Sequence, residues 1–116
     1  MFYIYSMILT AQTSLPVSAP VSLGGTTPSL LCGSSMLLAT MKVITATASC
    51  ALIYWNVDFG IWVKYPIAAV ALDPAVDDGT QTQRYVMPKT PDGIYITYLV
   101  TTGTGVVRVS SILANT

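Results

Sequence analysis

Few residues in this chain are equipped for chemistry. Histidine is absent, and the acids are five aspartates, Asp58, Asp73, Asp77, Asp78 and Asp92, without any glutamate. Histidine is the usual general base near neutral pH. Its absence removes Ser-His-Asp and Cys-His mechanisms. Two cysteines, Cys32 and Cys50, cannot make a common zinc site, which takes four N/S ligands. They suit either a disulfide in an oxidising compartment or two buried thiols acting as small apolar residues. Cys50 sits on the apolar face of an alternating run, which favours buried thiols. Asp73, Asp77 and Asp78 are the one acidic cluster. Calcium takes such oxygen ligands, but the spacing lacks the pattern of an EF-hand loop, and Asp78-Gly79 reads as a solvated turn. Asp58 and Asp92 are of the type that cleaves glycosidic bonds in pairs, yet their spacing does not place them opposite each other. Gly24-Gly25 and Gly103-Thr104-Gly105 lack the lysine and helix of a phosphate loop. The residues therefore indicate a non-enzyme with no catalytic residue, no metal and no cofactor.

The aromatics are denser. Tyr54, Trp55, Phe59, Trp62 and Tyr65 fall close together. Such a group builds core, a subunit interface or a sugar-stacking platform. The composition points the same way. Charged residues make up 9% of the 116-residue chain, against roughly 25% in an average soluble protein. Five cations balance five anions, and hydrophobic residues make up 53%. Disorder is excluded, since it needs low hydrophobicity and high charge. Nucleic-acid binding is disfavoured by the lack of cationic excess. Soluble monomers carry more charge than this, so the surface is expected to be covered, either by an assembly or by lipid.

Lipid fits poorly. The best candidate span, Leu30–Val57, has Lys42 near its middle, is diluted by Ser and Thr, and lacks flanking basic residues. The start, Phe2–Leu9, is apolar like a signal peptide but lacks a basic beginning, the first cation being Lys42. Phe2, Ile4 and Ser6 alternate with Tyr3, Tyr5 and Met7, which describes a strand or arm apolar on both faces.

The elements needed to position these residues are strands. Thr, Ser, Val and Tyr are frequent, and eight glycines and seven prolines cut the chain into short segments. Expected strands are Phe2–Thr10, Lys42–Asn56, Ile61–Leu72 with a break at Pro66, Thr82–Met87, Ile94–Thr102 and Val106–Leu113. Leu15–Leu23, with Pro16 and Pro20, reads as an edge strand or extended arm. Ser29–Cys32 and Met36–Ala39 flank a bend at Gly33-Ser34-Ser35, as a tight bend or a short strand pair. Turns are expected at residues 24–28, Asn56–Gly60, Asp73–Gly79 and Thr90–Gly93, and Gly103-Thr104-Gly105 reads as a hairpin connection. The sum is an all-β fold: one antiparallel, jelly-roll-like sandwich of seven to eight strands. Residues 1–13 form an N-terminal strand or arm and residues 14–116 the sandwich.

The run from Tyr85-Val86-Met87-Pro88 through Pro91-Asp92-Gly93-Ile94 and Thr101-Thr102-Gly103-Thr104-Gly105 to Val106-Val107-Arg108-Val109 resembles the closing hairpin of small β-sandwich structural proteins of tailed-phage virions. Ser18–Thr26 resembles the Ser/Thr/Val-rich start of such modules. The resemblance spans Ser18–Leu113, with only Tyr85–Leu113 patterned. The apolar arm Phe2–Leu9 and the dense stretch Leu30–Leu38 depart from it. It implies a head-decoration, head-fibre or tail-associated subunit in the virion, assembled in the host cytoplasm. Its partners would be copies of itself, as a trimer or another symmetric oligomer, and major capsid or tail proteins, with neither nucleic acid nor membrane. Contacts are expected from Phe2, Tyr3, Ile4, Tyr5, Met7 and Ile8 and from Trp55, Phe59, Trp62 and Tyr65. The alternatives are a carbohydrate- or receptor-binding sandwich using Trp55 and Trp62, and a small membrane protein with one helix in Leu30–Val57.

Overall fold

The computed structural model describes residues 2–12, 14–21 and 28–114; for residues 2–4 and 114 only the backbone is described. Along it run β1 (Phe2–Leu9), β2 (Leu30–Cys32), β3 (Met36–Val43), β4 (Ala48–Asn56), β5 (Ile61–Lys64), β6 (Val70–Leu72), β7 (Thr80–Val86), β8 (Ile94–Gly103) and β9 (Val107–Ala114). Among the described residues there is no α-helix, and a 3-10 turn at Asp77–Gly79 precedes β7. The first sheet has the order β1-β9-β3-β7 and the second β2-β8-β4-β5, with β6 also paired to β4. Every ladder is antiparallel.

β5 and β6 lie on one line along β4, opposite Ile53–Asn56 and Ala48–Cys50 respectively. Pro66 falls in the gap between them, where a residue without an N–H cannot extend a ladder. Taken as one line, the strands nest. β1 pairs with β9, β2 with β8, β3 with β7, and β4 with β5 and β6. This is a long hairpin rolled up into two facing sheets, the jelly-roll order. The expected antiparallel sandwich is thus the observed one, with Pro66 breaking the strand where it was expected to.

Period-two alternation fills the space between the sheets. Leu37, Ala39, Met41 and Val43 of β3 and Val107, Val109 and Leu113 of β9 point inward from one side. Cys50 and Leu52 of β4 and Ile96, Tyr98 and Val100 of β8 meet them from the other. Each large side chain buried this way contributes about 1.5–3 kcal/mol. A buried hydroxyl pair ties the layers together: the Tyr98 hydroxyl of β8 and the Ser111 hydroxyl of β9 share a hydrogen bond of 2.7 Å, both residues buried.

A strap adds a partial third layer. After β1 the chain bridges to the free edge of β8, where the Gln12 N–H donates to the Val100 carbonyl at 3.0 Å. It then crosses the outer face of the second sheet. Leu15 packs on a separate cluster of Ile53, Trp62 and Leu99. The Trp62 Nε1–H donates to the Ser18 carbonyl at 2.9 Å, and Thr97 Oγ1 donates to the Pro28 carbonyl at 2.6 Å. The segment expected as an edge strand or arm is therefore this strap over its described part. Of the turn expected at residues 24–28, only Pro28 lies within the described residues.

Two expectations need correction, and two alternatives fall away. Lys42–Asn56 is two strands, not one: the chain turns at Ile44–Ala46 and passes from the first sheet to the second. The room for this turn comes from elsewhere. Gly103 and Gly105 lie against Thr47 and Ala46, where an added Cβ would fall 2.1 Å from the Thr47 oxygen and 2.7 Å from the Ala46 oxygen. Residues 103–105 make no hairpin either, because β8 and β9 belong to different sheets. Of the two readings around Gly33-Ser34-Ser35 the bend holds: the chain bends there and crosses between sheets, so β2 and β3 are not a strand pair. Finally, Leu30–Val57 holds β2, β3 and β4, and no helix among the described residues is long and apolar enough to cross a membrane.

Candidate interaction surfaces

The first sheet turns one bare face outward. Its registers place Ile8, Arg108, Lys42 and Thr80 in one row across β1, β9, β3 and β7. Ser6, Ser110, Thr40 and Thr82 make the next row, and Ile112, Leu38 and Arg84 lie in a third. Three of the five cations thus share this face. Lys42 and Arg108 stand directly opposite each other, an arrangement that costs stability between like charges. Asp78 partly offsets it, 3.8 Å from Lys42. Apolar side chains are also left in solvent here: Ile8 is 69% exposed, and Val86 and Leu38 are exposed too.

A second uncovered region is the β4–β5 tip. The Asn56 side-chain oxygen accepts from the Phe59 N–H at 3.0 Å, the Asn56 carbonyl accepts from Gly60, and Gly60 takes φ 63° to close the turn. This geometry throws Val57, Phe59 and Ile61 outward, with Phe59 76% exposed.

The residues expected at contacts divide between surface and interior. Phe2, Tyr3 and Ile4 pair with Ala114, Leu113 and Ile112 along the β1 edge, and their side chains lie outside the described residues. Phe2–Leu9 is bonded to β9 along its whole length, so it is an edge strand of the sandwich rather than an arm leaving it. Tyr5 is half-buried at the core margin and Met7 is buried in the core, while Ile8 is free. Trp55 is half-buried and meets Trp62 edge to face at 5.5 Å. Trp62 is 2% exposed under the strap. Tyr65 packs edge to face on Tyr85 at 5.4 Å, and its hydroxyl donates to the Val86 carbonyl. Met7 and Trp62 thus present no surface to a partner, because the chain's own core and strap cover them. Ile8, Phe59 and the exposed part of Trp55 do.

Comparison with protein-family models, curated proteins and solved structures returns no match.

One groove joins residues that spacing alone did not connect. Asp58 on the β4–β5 tip and Asp92 on the turn before β8 line the same depression of about 480 Å³, with Trp55, Tyr54 and Tyr95 as aromatic walls. Thr90 Oγ1 is buried beside it without a hydrogen-bond partner. The signal that unites the two aspartates is topological: β8 pairs with both β2 and β4, which carries the turn at 90–93 to the end where the β4–β5 tip lies.

The other polar candidates are structural. Asp73 Oδ1 accepts from the Ala75 N–H at 2.9 Å, and Asp77 and Asp78 take φ 50° and 61°, ahead of Gly79 at 74°. No group of three potential metal ligands occurs among the described residues. Cys32 and Cys50 are free thiols buried in the main core. Burial pushes the Cys50 thiol up to about 12. It raises Cys32 as well, against a weak bond to the Ser34 carbonyl. A thiol held protonated is a poor nucleophile.

Proposed function

We propose that the chain is a non-enzymatic structural subunit that works as a symmetric homo-oligomer. Within that class, we propose a capsid decoration, cement or tail-associated subunit of a tailed-phage particle. The observation that carries the assembly reading is the β4–β5 tip. Val57, Phe59 and Ile61 stand together in solvent on a chain with 9% charged residues and zero net charge. Isolated exposed apolar residues are ordinary, whereas clustered ones mark interfaces. The phage reading draws on the resemblance of Tyr85–Leu113 and on the jelly-roll order, an architecture that viral capsid domains share with lectins and cupins. Fold alone does not assign function, so the test must be direct. In particles purified from a lysate of the host that carries this gene, quantitative mass spectrometry should find the chain at a fixed copy number relative to the major capsid protein. Its absence from the particles would overturn the phage reading and leave self-assembly to be judged separately.

A second reading, a saccharide-binding sandwich, is favoured by the groove of Asp58, Asp92, Trp55 and Tyr95. Aromatic walls stack on sugar rings and carboxylates accept from their hydroxyls. It departs from the expected platform, since Trp62 is inaccessible. Titration with neutral oligosaccharides should quench Trp55 fluorescence under this reading, and the quenching should vanish in Asp92→Ala. A flat titration excludes it.

A further inference from the structure

We propose that the free edge of β1 is a docking site for β1 of a second copy, antiparallel across a two-fold axis. This rests on the assembly reading and names the surface that performs it. The inference comes from comparing the edges of the two sheets. An edge strand presents unpaired N–H and C=O groups, and proteins blunt such edges by shortness, charge, proline or a bulge, or by covering them. β2 is only three residues long. The β5–β6 line is interrupted at Pro66 and carries Lys64. β7 bears exposed Arg84, ends before Pro88, and has its Val86 carbonyl occupied by the Tyr65 hydroxyl. The stretch of β8 beyond β2 is met by Ala11 and Gln12 of the strap.

Among the described residues, β1 alone has none of these devices. It runs for eight residues, Phe-Tyr-Ile-Tyr-Ser-Met-Ile-Leu, without charge, proline or glycine. Its pairing with β9 is regular from Phe2↔Ala114 to Leu9↔Val107, without a bulge. Among the described residues, β9 is its one strand partner.

The occupant follows from symmetry and charge. An isologous contact sets a surface against itself, so like charges on it would repel. β1 carries none, and the chain's net charge is zero. Opposed residues in an antiparallel pair share a face, so the two-fold axis must lie midway between two copies of the same residue. Centred on Ser6, the register sets Ser6 opposite Ser6 and exposed Ile8 opposite position 4 of the other copy. The row of Ser6, Ser110, Thr40 and Thr82 then continues across the axis. The result is one eight-stranded sheet, β7-β3-β9-β1 followed by its symmetry mate.

Ser6→Cys tests this in the full chain, because opposed Cα atoms in an antiparallel pair lie about 4.5–5.5 Å apart, within disulfide reach. Cys32 and Cys50 are buried and leave the new thiol alone at the surface. Mild oxidation should give a covalent dimer, and Val17→Cys, fully exposed on the strap, should not. Ile8→Lys, a charge on an exposed position, should weaken self-association at least tenfold with an unchanged circular dichroism spectrum, while Val17→Lys should leave it intact. Oligomers that contain only odd numbers of copies, or that form equally well in Ile8→Lys and do not cross-link in Ser6→Cys, overturn the β1 proposal while leaving the assembly reading standing. A chain that is monomeric throughout overturns both.

Discussion

The bond between Tyr98 and Ser111 is a buried polar tie between the two sheets, and it can be removed from either end. Tyr98→Phe takes away one hydroxyl and strands the other in a site where Ser111 is fully buried. A neutral hydrogen bond is worth about 0.5–1.5 kcal/mol net, and an orphaned buried group costs about 1–3 kcal/mol. Each single variant, Tyr98→Phe or Ser111→Ala, should therefore lose about 2 kcal/mol. The double variant leaves no orphan, so its loss should be about 1 kcal/mol, smaller than either single loss rather than their sum, a coupling of about 3 kcal/mol. With a urea slope of roughly 1.5 kcal/mol per molar, each single loss moves the midpoint down by about 1.3 M. The assay is urea unfolding followed by tryptophan fluorescence at one fixed protein concentration, since association contributes to apparent stability. Additive losses, or single variants within about 0.5 kcal/mol of the wild type, would refute the claim that this pair bridges the layers.

Three further outcomes follow from the same structure. Gly103→Ala should destabilise by about 3 kcal/mol or more, because φ is +84° and the new Cβ would sit 2.1 Å from the Thr47 oxygen; Gly33→Ala, with open space around it, is the control, and thermal melts compare them. Stability should fall as pH rises above 9: unfolded Cys50 loses its proton near 9.0 and the folded thiol holds it to about 12, so the folded state binds the extra proton in that window and loses up to about 1.4 kcal/mol per pH unit. Tyr98, raised by burial against the Ser111 bond, adds to the slope at higher pH, and Cys50→Ala should make the decline shallower in pH-dependent urea melts. Trp62→Phe removes the Ser18 anchor and should speed hydrogen exchange of residues 14–21 while leaving the amides of β9 protected.

Much of the fold was legible because it rests on local alternation. Ile94, Ile96, Tyr98 and Val100 were readable as one face of a strand, as were Val107, Val109 and Leu113, and those faces are the core. What escaped was sheet membership. Ile44–Thr47 continues the alternation of its neighbours with no Gly or Pro of its own, and the glycines that accommodate its turn are Gly103 and Gly105, far along the chain. A Gly-Thr-Gly connection signals a tight link but not whether it joins neighbours or crosses between sheets. The exposure of the expected contact residues was half legible for the same reason. Composition raised the expectation of a covered apolar surface, but whether a given aromatic is covered by its own chain depends on the strap, which buries Trp62 and leaves Phe59 out. The meeting of Asp58 with Asp92 depends on ladder partners that neither position's neighbours announce.

The central claim is that this surface is covered by copies of the same chain. Its most direct test is the solution mass of the intact protein, by sedimentation equilibrium from the micromolar to the hundred-micromolar range. Self-association should give a defined oligomer that builds up with concentration from the 12.3 kDa chain, and pairing through β1 would make its copy number even. A 12.3 kDa species throughout that range would contradict it.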